Sequence, residues 1–121
     1  MKKILNSTTD YVDEMLAGLV AAHPENYRLH GDTGKVVARA KSGSKGKVGV
    51  VSGGGSGHLP VFTGYVGEGL LDACAIGAVF SSPSAEQMAD AIRAADQGNG
   101  VLRLYGNYGG DVMNFDMAGD L

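Results

Sequence analysis

The stretch Ser52-Gly53-Gly54-Gly55-Ser56-Gly57-His58 holds the residue types best suited to chemistry in this sequence. Consecutive glycines let a backbone turn sharply and aim its N–H groups into one concavity. Such a nest, followed by a helix N-terminus, binds anions or polarised oxygens. His58 places a titratable ring at the end of the loop, suited to taking a proton from a hydroxyl near neutral pH. A second glycine-rich turn, Asn107–Asp111, closes on a carboxylate. Asp111 could accept a hydrogen bond from a ligand, cap the helix that follows, or do both.

Three familiar loops fail to match. A phosphate-binding Walker loop ends Gly-Lys-Ser/Thr, and here Gly57 is followed by His58 and Leu59. The dinucleotide fingerprint needs a glycine three residues after its second, where this chain has His58 or Pro60. The nucleophile elbow G-x-S-x-G nearly fits at Gly54–Gly57, but His58 stands in place of its last glycine. A hydrolase with Ser56 as nucleophile therefore stays open, as does a plain flexible turn. Against the plain turn, five small residues in a row are costly to order.

The flanking pattern says what must position these loops. Val12, Met15, Leu16, Leu19 and Val20 recur at helical spacing, with Asp10 as N-cap and Pro24 as the stop. Residues 25–35 are polar and turn-rich, Val36–Ala40 reads as a short strand, and Lys41–Lys47 reads as a loop. Val48–Val51 is a buried-strand pattern leading straight into the first glycine loop. Pro60 then predicts a helix start, with Val61, Phe62, Tyr65 and Val66 on its buried face. Ala73–Ile76 is a further strand. Ser84-x-x-Gln87 is a capping box for a helix that buries Met88, Ala91, Ile92 and Ala95 and stops at Gly98 and Gly100. Val101–Tyr105 is the last strand, and a final helix begins near Val112 with Asp111 as its cap. Strands alternating with helices predict a three-layer α/β domain with a mainly parallel sheet. Both glycine-rich loops then lie at strand carboxyl ends, where such sheets bind ligands. His58 and Asp111 are thus expected on one rim.

Composition narrows the classes. The chain has 121 residues, 44% of them hydrophobic, enough for one small domain with a real core. No run of eighteen apolar residues is present, so no membrane span is expected. The N-terminal Met1-Lys2-Lys3-Ile4-Leu5 lacks the long apolar stretch of an export signal. The single cysteine, Cys74, has no partner for an internal disulfide; together these features predict a reducing, cytoplasmic setting. A net charge of −3, with Lys41, Lys45 and Lys47 as the only basic cluster, argues against a nucleic-acid ligand. Asp72, Asp90, Asp96 and Asp116 show no metal-ligand spacing, so no metal is expected on this chain. Twenty glycines, clustered at 53–57, 64–69 and 106–110 after apolar runs, are expected where backbone approaches a ligand.

Four ordered motifs extend the signal to nearly the whole chain. These are Ser52–Pro60 with Gly64-Tyr65-Val66-Gly67-x-Gly69, then Phe80-Ser81-Ser82-Pro83-Ser84, then Asn107-Tyr108-x-Gly110-Asp111-x-x-Asn114-Phe115. The opening Lys2–Asn6 with Gly18-Leu19 and His23-Pro24 is the fourth. Together they resemble the K subunits of dihydroxyacetone kinases, specifically their N-terminal part.

The resemblance implies a substrate-binding subunit of a keto-sugar kinase. Its small ketose would lie against Gly55, Ser56, Gly57 and His58, with His58 as general base and Asp111 orienting a hydroxyl. Backbone donors, one base and one acid suffice to orient a molecule that small. ATP/ADP with magnesium would sit on a helical L partner, or phosphate would come through a phosphotransferase-system M subunit. A homodimer is implied as well. Family members also hold the sugar as a hemiaminal on a second histidine. That histidine lies well past residue 121, and neither His23 nor His30 matches it, so this segment is expected to be catalytically incomplete. Dihydroxyacetone-specific bacterial members carry lysine where this chain has Gly106, which favours a longer ketose such as erythrulose. Two other functions stay open: a non-catalytic ketose sensor of the same fold, and the Ser56 hydrolase.

Overall fold

The computed structural model describes residues 2–121. Five strands, β1 (Tyr27–His30), β2 (Val36–Arg39), β3 (Gly49–Gly55), β4 (Ala73–Gly77) and β5 (Val101–Arg103), form one sheet in the order β1-β2-β4-β3-β5. β3 runs parallel to both its neighbours, β4 and β5. The β1–β2 hairpin joins β4 antiparallel. Helix α1 (Tyr11–Ala22) packs on one face; α2 (Ala85–Ala95) and α3 (Gly109–Asp120) pack on the other. The result is the expected three-layer α/β arrangement, with its parallel part at β4-β3-β5.

β4 is buried along its whole length, which is why Ala-Cys-Ala-Ile-Gly shows no polar alternation. Its small residues admit α2 closely on one side. Cys74 faces the other layer, and burial pushes its thiol well above the usual range, so it is inert core. The capping box of α2 is complete. Ser84 Oγ accepts from the Gln87 N–H at 3.2 Å, and the Gln87 side chain accepts from the Ser84 N–H at 2.8 Å.

Several expectations are corrected. Residues 25–35 contain β1, whose four residues are held by register pairing with β2 from Tyr27↔Arg39 to His30↔Val36. Asp10 occupies the N-cap position of α1 but makes no side-chain cap bond. No α-helix starts at Pro60: a 3-10 turn, Ser56–His58, lies before it and another, Thr63–Tyr65, after it, and the Leu59–Pro60 peptide is cis. Of the four residues expected on a buried face, Phe62 and Val66 pack into the α1-side core, while Val61 and Tyr65 are exposed, so both the helix and half of its face are corrected. His23 and His30 both read as surface residues; His23 lies on the surface beside Glu25, whereas His30 is half-buried, its Nδ1 2.9 Å from Arg28.

The start of β4 carries a feature the sequence reading did not assign. Asp72, 4% exposed, accepts from Arg39 at 3.1 Å, Lys47 at 2.6 Å and the Val50 N–H at 2.8 Å. Burial alone would raise its pKa; the bonds from Lys47, Val50 and Arg39 outweigh it and hold the carboxyl below its ordinary value. Among the described residues no helix is long and apolar enough to cross a membrane.

Candidate functional site

Three segments meet at the carboxyl ends of β3 and β4. The first is the 3-10 turn Ser56–His58, which leaves β3 directly. The second is the Ala78–Pro83 loop after β4. The third is the first turn of α3, reached through Leu104–Tyr108 after β5. They enclose a cavity of about 330 Å³ whose walls include Gly55, His58, Phe80, Ser82, Tyr108 and Asp111. His58 and Asp111 therefore share one rim, as the alternation of strands and helices requires.

Glycines make this convergence possible. A Cβ on Gly77 would overlap the Ser81 carbonyl, and one on Gly57 would overlap the Val79 carbonyl. One on Gly110 would lie 2.6 Å from Ser82 Oγ. Gly57 and Gly77 bring backbone against backbone, and Gly110 brings α3 against the Ser82 side chain; all three build the walls, rather than making direct room for a ligand. The expected open nest is correspondingly reduced. β3 continues through Gly55, paired with β4 up to Gly55↔Gly77. The Ser56 and Gly57 N–H groups donate to the Ala78 and Val79 carbonyls at 3.1 and 2.6 Å. Ser56 and Gly57 thus stand outside the cavity lining and fix the turn, while Gly55 and His58 face the cavity.

Asp111 lies in the first turn of α3, two residues inside the helix, which begins at Gly109 after Tyr108. It is no N-cap. Its side chain is buried, 8% exposed, and Oδ1 has no hydrogen-bond partner. An unpaired buried carboxylate oxygen costs about 1–3 kcal/mol or more, so a donor from a bound molecule would satisfy a real deficit. Three buried side-chain atoms lack partners among the described residues, and two of them, Asp111 Oδ1 and Ser56 Oγ, belong to this rim. The His58 ring is exposed and meets Phe80 edge-on, centroids 6.3 Å apart. No bond joins Ser56 Oγ to His58, so the pair lacks the nucleophile–base contact of a hydrolase.

A second, wider cleft of about 800 Å³ opens from the same carboxylate along the outer half of the sheet. Val61, Leu70, Leu102 and Leu104 line it, with Gly106 and Asp111 at its inner end. Tyr65 and Tyr105 also reach this cleft. Tyr105 stacks on Phe115 at 4.6 Å and donates to Asp116 at 2.8 Å; that bond raises its hydroxyl pKa. Arg103 turns away from the rim and donates to the Phe115 carbonyl. Phe62, Phe80, Ser81 and Ser82 are wall residues that residue chemistry alone did not single out; Tyr108, a tyrosine beside the sheet rim that could line a pocket or merely pack, is in the wall. The recurring motif Phe80–Ser84 held the signal for three of them.

Residues 17–121 match the family described as the Dak1 domain. The dihydroxyacetone-binding subunit of a phosphotransferase-dependent dihydroxyacetone kinase from Listeria innocua is 53% identical over all of this chain. A D-erythrulose kinase from Mycolicibacterium smegmatis is 47% identical over 99% of it. The chain spans 36% of the first relative's length and 20% of the second's. The crystal structure of the C. freundii dihydroxyacetone kinase with AMP-PNP and magnesium superposes with TM-score 0.89 at 35% identity, covering 98% of this chain and 22% of that one. A dihydroxyacetone kinase operon co-activator superposes at 0.80 with 33% identity, covering 88% of this chain and 32% of that one.

Proposed function

This chain belongs to the Dak1 domain family, and from that premise we propose that its His58–Asp111 cavity holds a short ketose for phosphorylation. The unpartnered Asp111 Oδ1, buried in a cavity of about 330 Å³ opposite His58, is the observation that carries the reading. Asp111 accepts from one ketose hydroxyl. His58 accepts the proton of the terminal hydroxyl as that oxygen attacks phosphorus and the bond to the departing donor breaks. Gly55 lets the sugar lie against the backbone, and Ser56 and Gly57 hold the turn that aims His58.

Among the described residues Asp111 is the one carboxylate in the cavity lining, and in this reading it serves the sugar rather than a metal. The phosphoryl donor is read as coming in trans, from an L subunit or domain, itself charged by ATP or by an M-type relay. The chain is read as the N-terminal segment of a longer K domain that works as a cytoplasmic homodimer in glycerol and ketose metabolism.

The cleft beyond Gly106 favours a four-carbon ketose over dihydroxyacetone. A Cβ on Gly106 would lie 4.0 Å from Asp111 Oδ2, so a larger residue there would fill space now open to substrate. Gly106→Lys is expected to shift the erythrulose-to-dihydroxyacetone affinity ratio about tenfold toward dihydroxyacetone. A wild-type protein that binds dihydroxyacetone clearly better than erythrulose would sink the preference.

Native mass spectrometry of the natural gene product containing this chain, with each ketose, tests the function. Gain of one sugar mass supports a ketose site, and survival of that mass under denaturing conditions, without loss of water, adds covalent hemiaminal capture. No adduct with either sugar refutes it. The likeness to an operon co-activator supports a second reading, a ketose sensor, which would bind sugar and show no turnover with any L partner.

A further inference from the structure

Asn114 sits one turn beyond Asp111 on α3, three residues on and hence on the same helical face. Its Nδ2 donates to the Pro83 carbonyl at 2.7 Å. Pro83 is fully buried and ends the loop that contributes Phe80, Ser81 and Ser82 to the cavity wall. Beside this bond the α3 backbone lies flush against Ser82 at Gly110. The other bonds of the loop gather at its start, where Ser56, Gly57 and Ser81 N–H groups donate to the Ala78, Val79 and Ala78 carbonyls at 3.1, 2.6 and 3.3 Å, and Phe80 is 82% exposed. One side-chain bond therefore couples the helix that presents Asp111 to the loop that faces it.

We infer that Asn114 is a positioning residue, which sets the width of the ketose cavity by pinning the Phe80–Pro83 loop to the Asp111 helix. The inference rests on the function proposed above for that cavity. The geometry demands a donor at this position. Aspartate has the same shape but would set an oxygen against the Pro83 carbonyl, and leucine keeps the volume with no polar atom. Misplacing a binding wall by about 1 Å can cost on the order of a hundredfold in rate, whereas one lost half-buried hydrogen bond changes global stability only slightly.

The test compares wild type, Asn114→Asp and Asn114→Leu in the natural gene product, by ketose affinity, unfolding midpoint and amide hydrogen exchange across residues 80–84. Both variants are expected to weaken erythrulose and dihydroxyacetone binding about tenfold and to speed exchange in 80–84 by about tenfold. Unfolding midpoints should stay within about 4 °C of wild type. Wild-type exchange and affinity in a folded Asn114→Leu or Asn114→Asp protein would overturn the inference. Faster exchange with unchanged ketose affinity would also overturn it, since the loop would then move without consequence for the site. If wild type binds neither ketose, the proposed function fails by itself, and the exchange measurement still decides whether the pin exists.

Discussion

Alanine at position 58 is expected to lower turnover with the phosphoryl-donating partner by about 10²–10⁴-fold, while leaving stability within about 0.5 kcal/mol of wild type. The two halves of this result come from different facts. His58 is exposed at the end of a three-residue turn and meets Phe80 only edge-on, so its removal leaves no cavity and no buried orphan. It is also the only titratable side chain facing Asp111 across the cavity, among the described residues, that could take a hydroxyl proton near neutral pH. Steady-state kinetics and thermal melts on the same preparations check both halves. A drop in turnover of less than about threefold would remove His58 from the chemistry. Ketose binding should weaken less than turnover, because Asp111 and the backbone walls remain. A wild-type protein that binds ketose and never turns over would support the sensor reading, in which His58→Ala changes affinity alone.

Removing the Asp72 carboxylate is the largest expected effect on stability. Asp72→Ala leaves Arg39, Lys47 and the Val50 N–H without their common acceptor, at a point where the aspartate itself is 4% exposed. Breaking a buried pair from one side costs about 3–5 kcal/mol. The lower end applies here, because the Lys47 side chain is 33% exposed and can turn to water. That is a large share of the roughly 5–15 kcal/mol available to a small domain, and denaturant melts should show it as a lower midpoint. The same group sets a pH dependence. Its folded pKa lies below its unfolded value, so its contribution is present above about pH 4 and is lost as pH falls through the folded pKa. Wild type should therefore lose stability on acidification more steeply than Asp72→Asn. Parallel curves for the two proteins would show that the Asp72 cluster contributes nothing in solution.

What could be read from the sequence follows the range of the forces involved. The capping box at Ser84 and Gln87 is local, and it forms as written. The shared rim for His58 and Asp111 followed from strand–helix alternation, which fixes which sheet end the loops occupy. β1 escaped notice because Tyr27–His30 is short, lies among turn residues and is held only by its pairing with β2. The helix expected after Pro60 failed for a related reason. Gly64, Gly67 and Gly69 disfavour a helix there, and one 3-10 turn, Thr63–Tyr65, seats its flanking Phe62 and Val66 against the α1-side core. Asp111 was placed as a cap because Gly109 and Gly110 looked like turn residues, yet both joined α3. The Asp72 cluster draws on residues 39, 47, 50 and 72, and no spacing rule collects those four.

The sheet also separates what can vary from what cannot. Asp72 ties the chain together where β4 begins, and the cavity proposed to hold a ketose opens where β4 ends, five residues and roughly 17 Å further on. Substitutions at Gly106, Phe80 or Tyr108 are thus made far from the ionic cluster that keeps the strands in place. A lineage could retune the pocket for another sugar, or give up turnover and keep only recognition, without first finding compensating changes in the core. The groups that hold the sheet and the groups that line the cavity are thus physically separate parts of one strand's surroundings.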